Sequence, residues 1–153
     1  MTMAESTSKP MAQGGNLVLS RIRVVLVDDH QLIRVGLKLA LERDSDIKVV
    51  GEAASKTAAV AELDRLRPDV LITDVRLPDG NGIDLTAEVR ARNPEIGIVV
   101  LTMYGGDDQV IAALNAGASS FVGKEAPADD VIAAARQAAA SPLTFTAGDL
   151  AGS

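Results

Sequence analysis

The sequence predicts an α/β protein: a doubly wound (βα)5 fold in which a parallel sheet is covered by helices on both faces. Two observations lead to this prediction. Short runs rich in β-branched residues alternate along the chain with amphipathic stretches of about ten to fourteen residues. Several of those short runs are continuously apolar rather than alternating, which is typical of parallel strands buried on both sides.

Five strands are predicted, each a short run dominated by Val, Leu or Ile or flanked by turn residues. They lie at 23–28, 48–52, 70–74, 97–102 and 119–122. Strict alternation with helices implies right-handed crossovers, and the flavodoxin-like strand order 2-1-3-4-5 is the common arrangement of such units. Functional sites of these sheets lie beyond the carboxyl ends of the strands, where the strand order reverses, here between the first and third strands.

Helices are predicted at 31–43, 55–66, 82–92, 106–116 and 127–140. Residues at their ends support these bounds. Ser55 can cap the second helix, and Gly117 suits the left-handed position after the fourth. Pro127 suits the first turn of the fifth helix, where Asp129 and Asp130 complement the helix dipole.

Composition limits the classes of function. The 153 residues suffice for one domain, without cysteine and with His30 as the single histidine, which argues against thiolate sites and catalytic triads. A net charge of −6 gives no basic surface for DNA binding. There is neither a signal peptide nor an apolar run of about 18 residues, so a soluble, cytoplasmic protein without membrane contact is expected.

Three segments are predicted along the chain. Residues 1–20 are rich in Ser, Thr, Gly and Met and are interpreted as a disordered leader. Residues 21–140 form the folded domain. Residues 141–153 are interpreted as a tail or as the beginning of a linker to a further domain.

Acidic and phosphate-binding side chains stand at the ends of the predicted strands. Asp28 and Asp29 end the first strand and Asp74 ends the third. Three converging carboxylates repel one another unless a cation is bound, and Mg²⁺ prefers oxygen ligands. Thr102 ends the fourth strand with a hydroxyl group, and Lys124 follows the fifth with an ammonium group. Each residue alone is commonplace, but the combination indicates a phosphoryl-transfer site.

The motifs around these residues resemble those of the receiver (CheY-like) domain of bacterial two-component response regulators over about residues 21–140. They are LVDDH at 26–30, DVLITDVRLPDGNGIDL at 69–85, VVLTM at 99–103 and GASSFVGK at 117–124. With VVGEA at 49–53, they are most similar to the NarL/FixJ-type subfamily.

The resemblance implies a role for each matching residue. Asp74 is then the phosphoacceptor, phosphorylated by a sensor histidine kinase in a two-component phosphorelay. Asp29, Asp74 and the backbone carbonyl of Arg76 ligate Mg²⁺, and Asp28 acts mainly through a coordinated water. Thr102 and Lys124 bind the phosphoryl oxygens. Such a domain phosphorylates and dephosphorylates its own aspartate and is not a turnover enzyme.

The resemblance also implies a conformational switch. Thr102 closes on the phosphoryl group, and the aromatic side chain at position 121, here Phe121, turns inward; an ordinary core phenylalanine is the alternative interpretation. Met103 departs from the family, which typically has a small residue after the threonine. We therefore hypothesise that Met103 slows phosphotransfer or hydrolysis, with Arg76 and Tyr104 at the same mouth. His30 is given no catalytic role.

The first helix carries more apolar surface than one sheet can cover. Together with the alanine-rich fifth helix, it suggests a homodimer through helices near 31–43 and 127–140, as in several NarL/FixJ-type receivers. Coverage of the surplus apolar surface by the leader or the tail is the alternative.

Four functions are compatible with these motifs to different degrees. The first is transcriptional control through a C-terminal helix-turn-helix DNA-binding domain absent from these 153 residues. The second is a stand-alone receiver that acts by protein–protein contact or as a phosphate shuttle. A Mg²⁺-dependent hydrolase of the haloacid dehalogenase type is disfavoured, since Arg76 stands where that class has a second acid. A flavin- or nucleotide-binding protein is disfavoured because DDHQL, rather than a glycine-rich loop, follows the first strand.

Overall fold

A computed structural model describes residues 21–103 and 106–147 of the protein. The predicted leader, Tyr104 and the last six residues of the predicted tail lie outside the described residues. Within the described part of the chain, no helix has the length and apolar character that crossing a membrane requires.

The predicted alternation of strands and helices is confirmed. The strands are β1 (Ile22–Val27), β2 (Ile47–Ala53), β3 (Val70–Asp74), β4 (Arg76–Leu77), β5 (Gly80–Asn81), β6 (Gly97–Thr102), β7 (Ser120–Gly123) and β8 (Thr146–Ala147). The helices are α1 (Gln31–Leu41), α2 (Lys56–Leu66), α3 (Gly82–Arg92), α4 (Asp107–Ala116) and α5 (Ala128–Ala140). Predicted and observed bounds of the ten predicted elements differ by two residues at most.

The main sheet is parallel and has the order β2-β1-β3-β6-β7-β8. Its first five strands reproduce the predicted order 2-1-3-4-5. Every residue of the central strands β3 and β6 is buried, as their continuously apolar sequences predict. The order reverses at β1 and β3, so the carboxyl ends of these two neighbouring strands flank the expected site.

Two apolar clusters pack on opposite faces of the sheet, because successive strand side chains point to opposite sides. One joins strand residues such as Val25, Leu71 and Phe121 to side chains of α2, α3 and α4. The other joins strand residues such as Leu26 and Ile72 to side chains of α1 and α5. The fold is therefore a three-layer α/β domain, which holds the strand ends rigidly in relation to one another.

Helix ends follow the predicted chemistry with one small difference. The Ser55 hydroxyl accepts a hydrogen bond from the Ala58 amide at 3.1 Å, and Gly117 adopts the left-handed conformation with φ of 97°. Asp129 and Asp130 lie in the first turn of α5. Pro127 is the N-cap residue of α5 rather than a member of its first turn.

The segment after α5 packs against the domain, although its sequence is typical of a tail or linker. Pro142 accepts hydrogen bonds at its carbonyl from the Ser119 hydroxyl at 2.5 Å and from Arg90 Nη2 at 3.2 Å. Phe145 packs against the core, and β8 then pairs with β7 through Thr146 and Ser120. A two-residue strand has too short a sequence to show any periodicity, so its pairing is a purely tertiary effect.

A short antiparallel hairpin, β4–β5, follows Asp74 and leads into α3. The chain doubles back so tightly that the Gly82 amide donates to the Val75 carbonyl at 2.7 Å. A Cβ atom at Gly82 would overlap the backbone carbonyl oxygen of Asp74, so glycine is required at this close approach. The hairpin therefore places the N-terminus of α3 next to the carboxyl end of β3.

Asp79, at the tip of the hairpin, fastens this loop to α2. Its carboxylate accepts hydrogen bonds from the amides of Lys56 and Thr57, at 2.7 and 2.9 Å, and from the Thr57 hydroxyl at 2.8 Å. These bonds, led by the one from the Thr57 amide, lower the pKa of Asp79 to about 2. The loop after Asp74 is thus anchored by the positive end of a neighbouring helix.

We expect Asp79→Asn to make the protein less stable at neutral pH, in a pH-dependent way. The pKa of Asp79 is about 2 in the folded protein and about 3.9 in an unfolded chain. Its stabilising contribution is therefore complete above about pH 4 and is lost as the pH falls toward 2. Urea unfolding followed by circular dichroism should show a gap between wild type and Asp79→Asn that narrows over this range.

Glu95→Gln is the matched control, since it removes an exposed carboxylate from the loop before β6. It should unfold like the wild type at every pH. A gap for Asp79→Asn that is the same at pH 7 and pH 3, or one equal to that of Glu95→Gln, would contradict the capping role.

Candidate functional site

The carboxyl ends of four parallel strands meet at one rim of the sheet, and each delivers a predicted site residue. Asp28 directly follows β1, Asp74 ends β3, Thr102 ends β6 and Lys124 directly follows β7. Pairing in register aligns these ends: Asp74 lies opposite Leu101 on β6, and Thr102 lies opposite Gly123 on β7. The structure therefore brings together residues that are up to 96 positions apart in the chain.

Lys124 lies between two buried carboxylates at this rim. Its Nζ atom is 2.7 Å from Asp28 Oδ2 and 2.9 Å from Asp74 Oδ2. The exposed fractions of these three side chains are 6%, 2% and 7%, so water screens the pairs little. One ammonium group thus bridges the first and third strands across the point where the strand order reverses.

The pKa values reflect this pairing. Burial alone would raise the pKa of Asp28, but hydrogen bonds from Lys124 and from the His30 amide lower it below its usual value. Burial alone would lower the pKa of Lys124, but its hydrogen bonds to Asp28 and Asp74 raise it. Both groups are therefore charged at neutral pH, and the ion pair persists across the physiological range.

The acidic side of the rim offers a set of cation ligands. Oxygen and nitrogen atoms of Asp28, Asp29, His30 and Asp74 all lie within 4.8 Å of one another. Asp29 is partly exposed, at 37% of its side chain, whereas Asp28 and Asp74 lie deeper. A group made mainly of carboxylate oxygens, open to water on one side, suits a hard divalent cation that keeps several water ligands.

His30 belongs to this ligand set, and Arg76 borders it. The His30 Nδ1 atom lies 3.1 Å from Asp28 Oδ1 and 3.1 Å from Asp29 Oδ1, although no catalytic role is predicted for this residue. Arg76 has an exposed side chain, and its amide faces Asp74 Oδ1 at 3.4 Å. The structure thus places Arg76 beside the carboxylate that the resemblance assigns to the same cation.

The two predicted switch residues lie on neighbouring strands. Thr102 is buried, donates its hydroxyl hydrogen to Gln109 Oε1 at 3.2 Å, and accepts at its carbonyl from the Lys124 amide at 2.7 Å. Phe121 is completely buried in the cluster shared with α2, α3 and α4. Phe121 is therefore already turned inward in this structure.

Met103 and Arg76 are the described residues among those predicted at the mouth of the site. Met103 follows Thr102 directly, and half of its surface, 49%, is exposed. Tyr104 lies outside the described residues. A groove of about 440 Å³ between α2 and α3, lined in part by Val60, Leu63 and Val89, includes none of the site residues.

Sequence reasoning missed one contact that reaches the site through the backbone. Arg34 of α1 donates from Nη1 to the Asp28 carbonyl at 2.5 Å and from Nε to Glu52 Oε1 at 3.1 Å. A cation within the apolar run LIRVGL is the one signal that could have drawn attention to it.

Comparison with known proteins gives a family match. The family model described as the response regulator receiver domain matches residues 24–136 of this chain, which include every candidate site residue named above. The match spans most of β1, the other four strands of the predicted order and most of α5.

Individual relatives agree with that match. The DNA-binding transcriptional activator DevR/DosR of Mycobacterium tuberculosis is 45% identical over 104 residues, which cover 68% of this chain and 48% of the relative. The response regulator protein VraR of Staphylococcus aureus is 36% identical over 124 residues, which cover 81% of this chain and 59% of the relative. The chain thus spans about half the length of these curated relatives.

A solved structure extends the likeness to three dimensions. It is the signal receiver domain of the response regulator designated NarL from Mycobacterium tuberculosis, with a TM-score of 0.76 and 30% identity. The alignment covers 80% of this chain and 98% of that domain.

Proposed function

Because the chain belongs to the response regulator receiver domain family, in its NarL/FixJ-type subfamily, we propose that Asp74 is its phosphoacceptor. The observation that carries this proposal is the position of Asp74. It is a buried carboxylate at the switch point of the sheet, 2.9 Å from the Lys124 ammonium group and within the acidic ligand set. A sensor histidine kinase would supply the phosphoryl group.

The transfer needs little covalent help from the protein. A carboxylate oxygen of Asp74 attacks phosphorus in line, the phosphorus–nitrogen bond of the kinase phosphohistidine breaks, and the imidazole leaves with the bonding electrons and takes up a proton. Catalysis then consists of positioning and of neutralising charge on the phosphoryl oxygens. Lys124 supplies one positive charge beside Asp74 Oδ2.

The ligand set fits Mg²⁺. Asp29, Asp74 and the backbone carbonyl of Arg76 would hold the ion, with Asp28 acting mainly through a coordinated water. When bound, the ion neutralises charge between the carboxylate nucleophile and the phosphoryl group. The chain's own residues do the remaining work: Thr102 offers a hydroxyl donor, and Lys124 exchanges its bond to Asp74 for one to a phosphoryl oxygen.

The proposed switch involves Thr102 and Phe121. Phosphorylation replaces the single negative charge of the Asp74 carboxylate with a phosphoryl group that carries about 1.5 to 2 negative charges and three strong acceptor oxygens. Thr102 would leave Gln109 for the phosphoryl group, and Phe121 on the adjacent strand would hold the inward position it has here. The group biases the conformational equilibrium by its differential stabilisation of the active state.

Incubation of the chain with acetyl phosphate and MgCl2, followed by intact mass measurement, tests the phosphoacceptor. We expect the wild type to gain the mass of one phosphoryl group and Asp74→Asn to gain none. Asp84→Asn, which changes an exposed carboxylate of α3, should behave like the wild type. A wild type that gains no mass, or an Asp74→Asn variant that gains as much, would refute the assignment.

Met103 provides a separate kinetic prediction. If its half-exposed side chain limits access to Asp74, Met103→Ala should phosphorylate or hydrolyse faster in the same assay. Removing a steric barrier of about 1 kcal/mol corresponds to a rate increase of roughly fivefold. Met103→Leu keeps the bulk and should retain the wild-type rates, whereas unchanged rates in Met103→Ala would dispose of the idea.

Transcriptional control is the output that we propose. The DevR/DosR relative is named a DNA-binding transcriptional activator, and this chain corresponds to about half of it. The net charge of −6 is unsuited to DNA, so binding would fall to a helix-turn-helix domain outside these 153 residues. The parent reading frame tests this directly: such a segment after residue 153 supports it, and a stop codon there contradicts it.

A homodimer through α1 and α5 completes the proposal. Leu32 and Leu39 are 83% and 67% exposed, and Val35 lies between them at 44%, so the three form one apolar stripe along α1. α5 packs beside α1, and Arg136 of α5 is paired with Asp44 just after α1. Exposed apolar stripes of this kind commonly mark protein interfaces.

We therefore expect Leu32→Asp to shift the chain toward monomer in sedimentation velocity experiments, with and without acetyl phosphate. Leu143→Asp is the matched control, because Leu143 is 71% exposed but lies in the segment after α5. A monomeric wild type in both conditions, or equal effects of the two substitutions, would contradict the proposed interface.

A further inference from the structure

We infer that Arg34, paired with Glu52, is a positioning residue for the cation site: it holds the peptide group between Asp28 and Asp29 and so fixes where the Asp29 carboxylate stands. This inference rests on the proposed function, since it concerns the ligands that would hold Mg²⁺. Arg34 itself touches no reacting atom.

The hydrogen bonds fix the backbone on both sides of Asp28. The Asp28 amide donates to the Ala53 carbonyl of β2 at 3.0 Å. The Asp28 carbonyl accepts from Arg34 Nη1 at 2.5 Å. That carbonyl belongs to the same planar peptide group as the Asp29 amide. The orientation of this peptide group therefore sets the position of the Asp29 Cα atom, from which the carboxylate side chain extends.

Asp29 depends on this support because packing does little to hold it. Its side chain is 37% exposed, whereas Asp28 and Asp74 are enclosed by their surroundings and by Lys124. A partly exposed carboxylate can bind a cation well only if its backbone is already in place, since ordering it on binding costs conformational entropy. Second-layer contacts of this kind typically orient the ligands of a metal site.

Glu52 makes the arginine compatible with a cation nearby. An unpaired guanidinium group beside the acidic rim would repel a divalent ion. Arg34 Nε instead lies 3.1 Å from Glu52 Oε1, and the exposed fractions of the two side chains are 16% and 33%. The pair therefore contributes a hydrogen-bond donor to the Asp28 carbonyl with little net positive charge.

The fork geometry of arginine is needed here. Arg34 lies in the first turn of α1, and Glu52 lies on β2, opposite Leu26 of β1. A single guanidinium group reaches both the Asp28 carbonyl and Glu52 because its N–H groups point in two fixed directions. A lysine has one nitrogen on a flexible stem and holds the two acceptors together less well.

The test is a titration of the ¹⁵N-labelled chain with MgCl2 alone, with amide chemical shifts as the readout and urea unfolding measured in parallel. We expect Arg34→Lys to remain folded and to bind Mg²⁺ about tenfold more weakly, the lower end of the effect of changing a second-layer contact. Glu52→Gln should also weaken binding, because it leaves the guanidinium charge uncompensated.

Arg65→Lys is the matched control, since Arg65 pairs with Glu62 on the exposed surface of α2, with a closest contact of 2.8 Å. Its Mg²⁺ affinity should equal that of the wild type. An Arg34→Lys variant that loses stability but keeps the wild-type affinity would overturn the inference and leave the cation site intact. A wild type that binds no Mg²⁺ would instead overturn the proposed site, and the inference with it.

Discussion

The burial of two carboxylates beside one ammonium group is the interaction on which the rest of the site depends. Asp28 and Asp74 are enclosed at neighbouring strand ends, and uncompensated charges in such a place cost several kcal/mol each. Lys124 meets this requirement from β7, two strands away from β3. The register of β7 against β6, fixed by the bond from the Lys124 amide to the Thr102 carbonyl, is what allows the ammonium group to reach both.

That arrangement leaves the rim sensitive to added charge. The carboxylates outnumber the ammonium group in the described part of the rim, so a bound cation and a phosphoryl group each change the electrostatic balance there. The loops around the rim are held in place by contacts of Asp79, Gly82 and Arg34. The site thus combines a charge-sensitive centre with rigid surroundings. A bound cation or a phosphoryl group would therefore mainly change the hydrogen-bond partners of Lys124 and Thr102.

The sequence predicted most of the architecture and the directly acting side chains. Continuous apolar strands and strict alternation indicated the strand order, and the strand order brought Asp28, Asp74, Thr102 and Lys124 to one rim. Arg34 and Asp79 escaped prediction because they bind backbone groups, the Asp28 carbonyl and the amides of α2 respectively, and backbone groups leave no mark on residue identity. β8 escaped for a related reason: two residues are too few to show a period, and its pairing depends on contacts made by the segment before it.

The direction of β8 has a geometric consequence. Because β8 runs parallel to β7, the polypeptide at Ala147 travels toward the same pole of the molecule at which Asp74 stands. Ala147 also lies opposite Phe121, so strand pairing connects β8 to the strand that carries this aromatic residue. A displacement of β7 would therefore be transmitted directly to Thr146 and Ala147 through the pairing of β7 with β8.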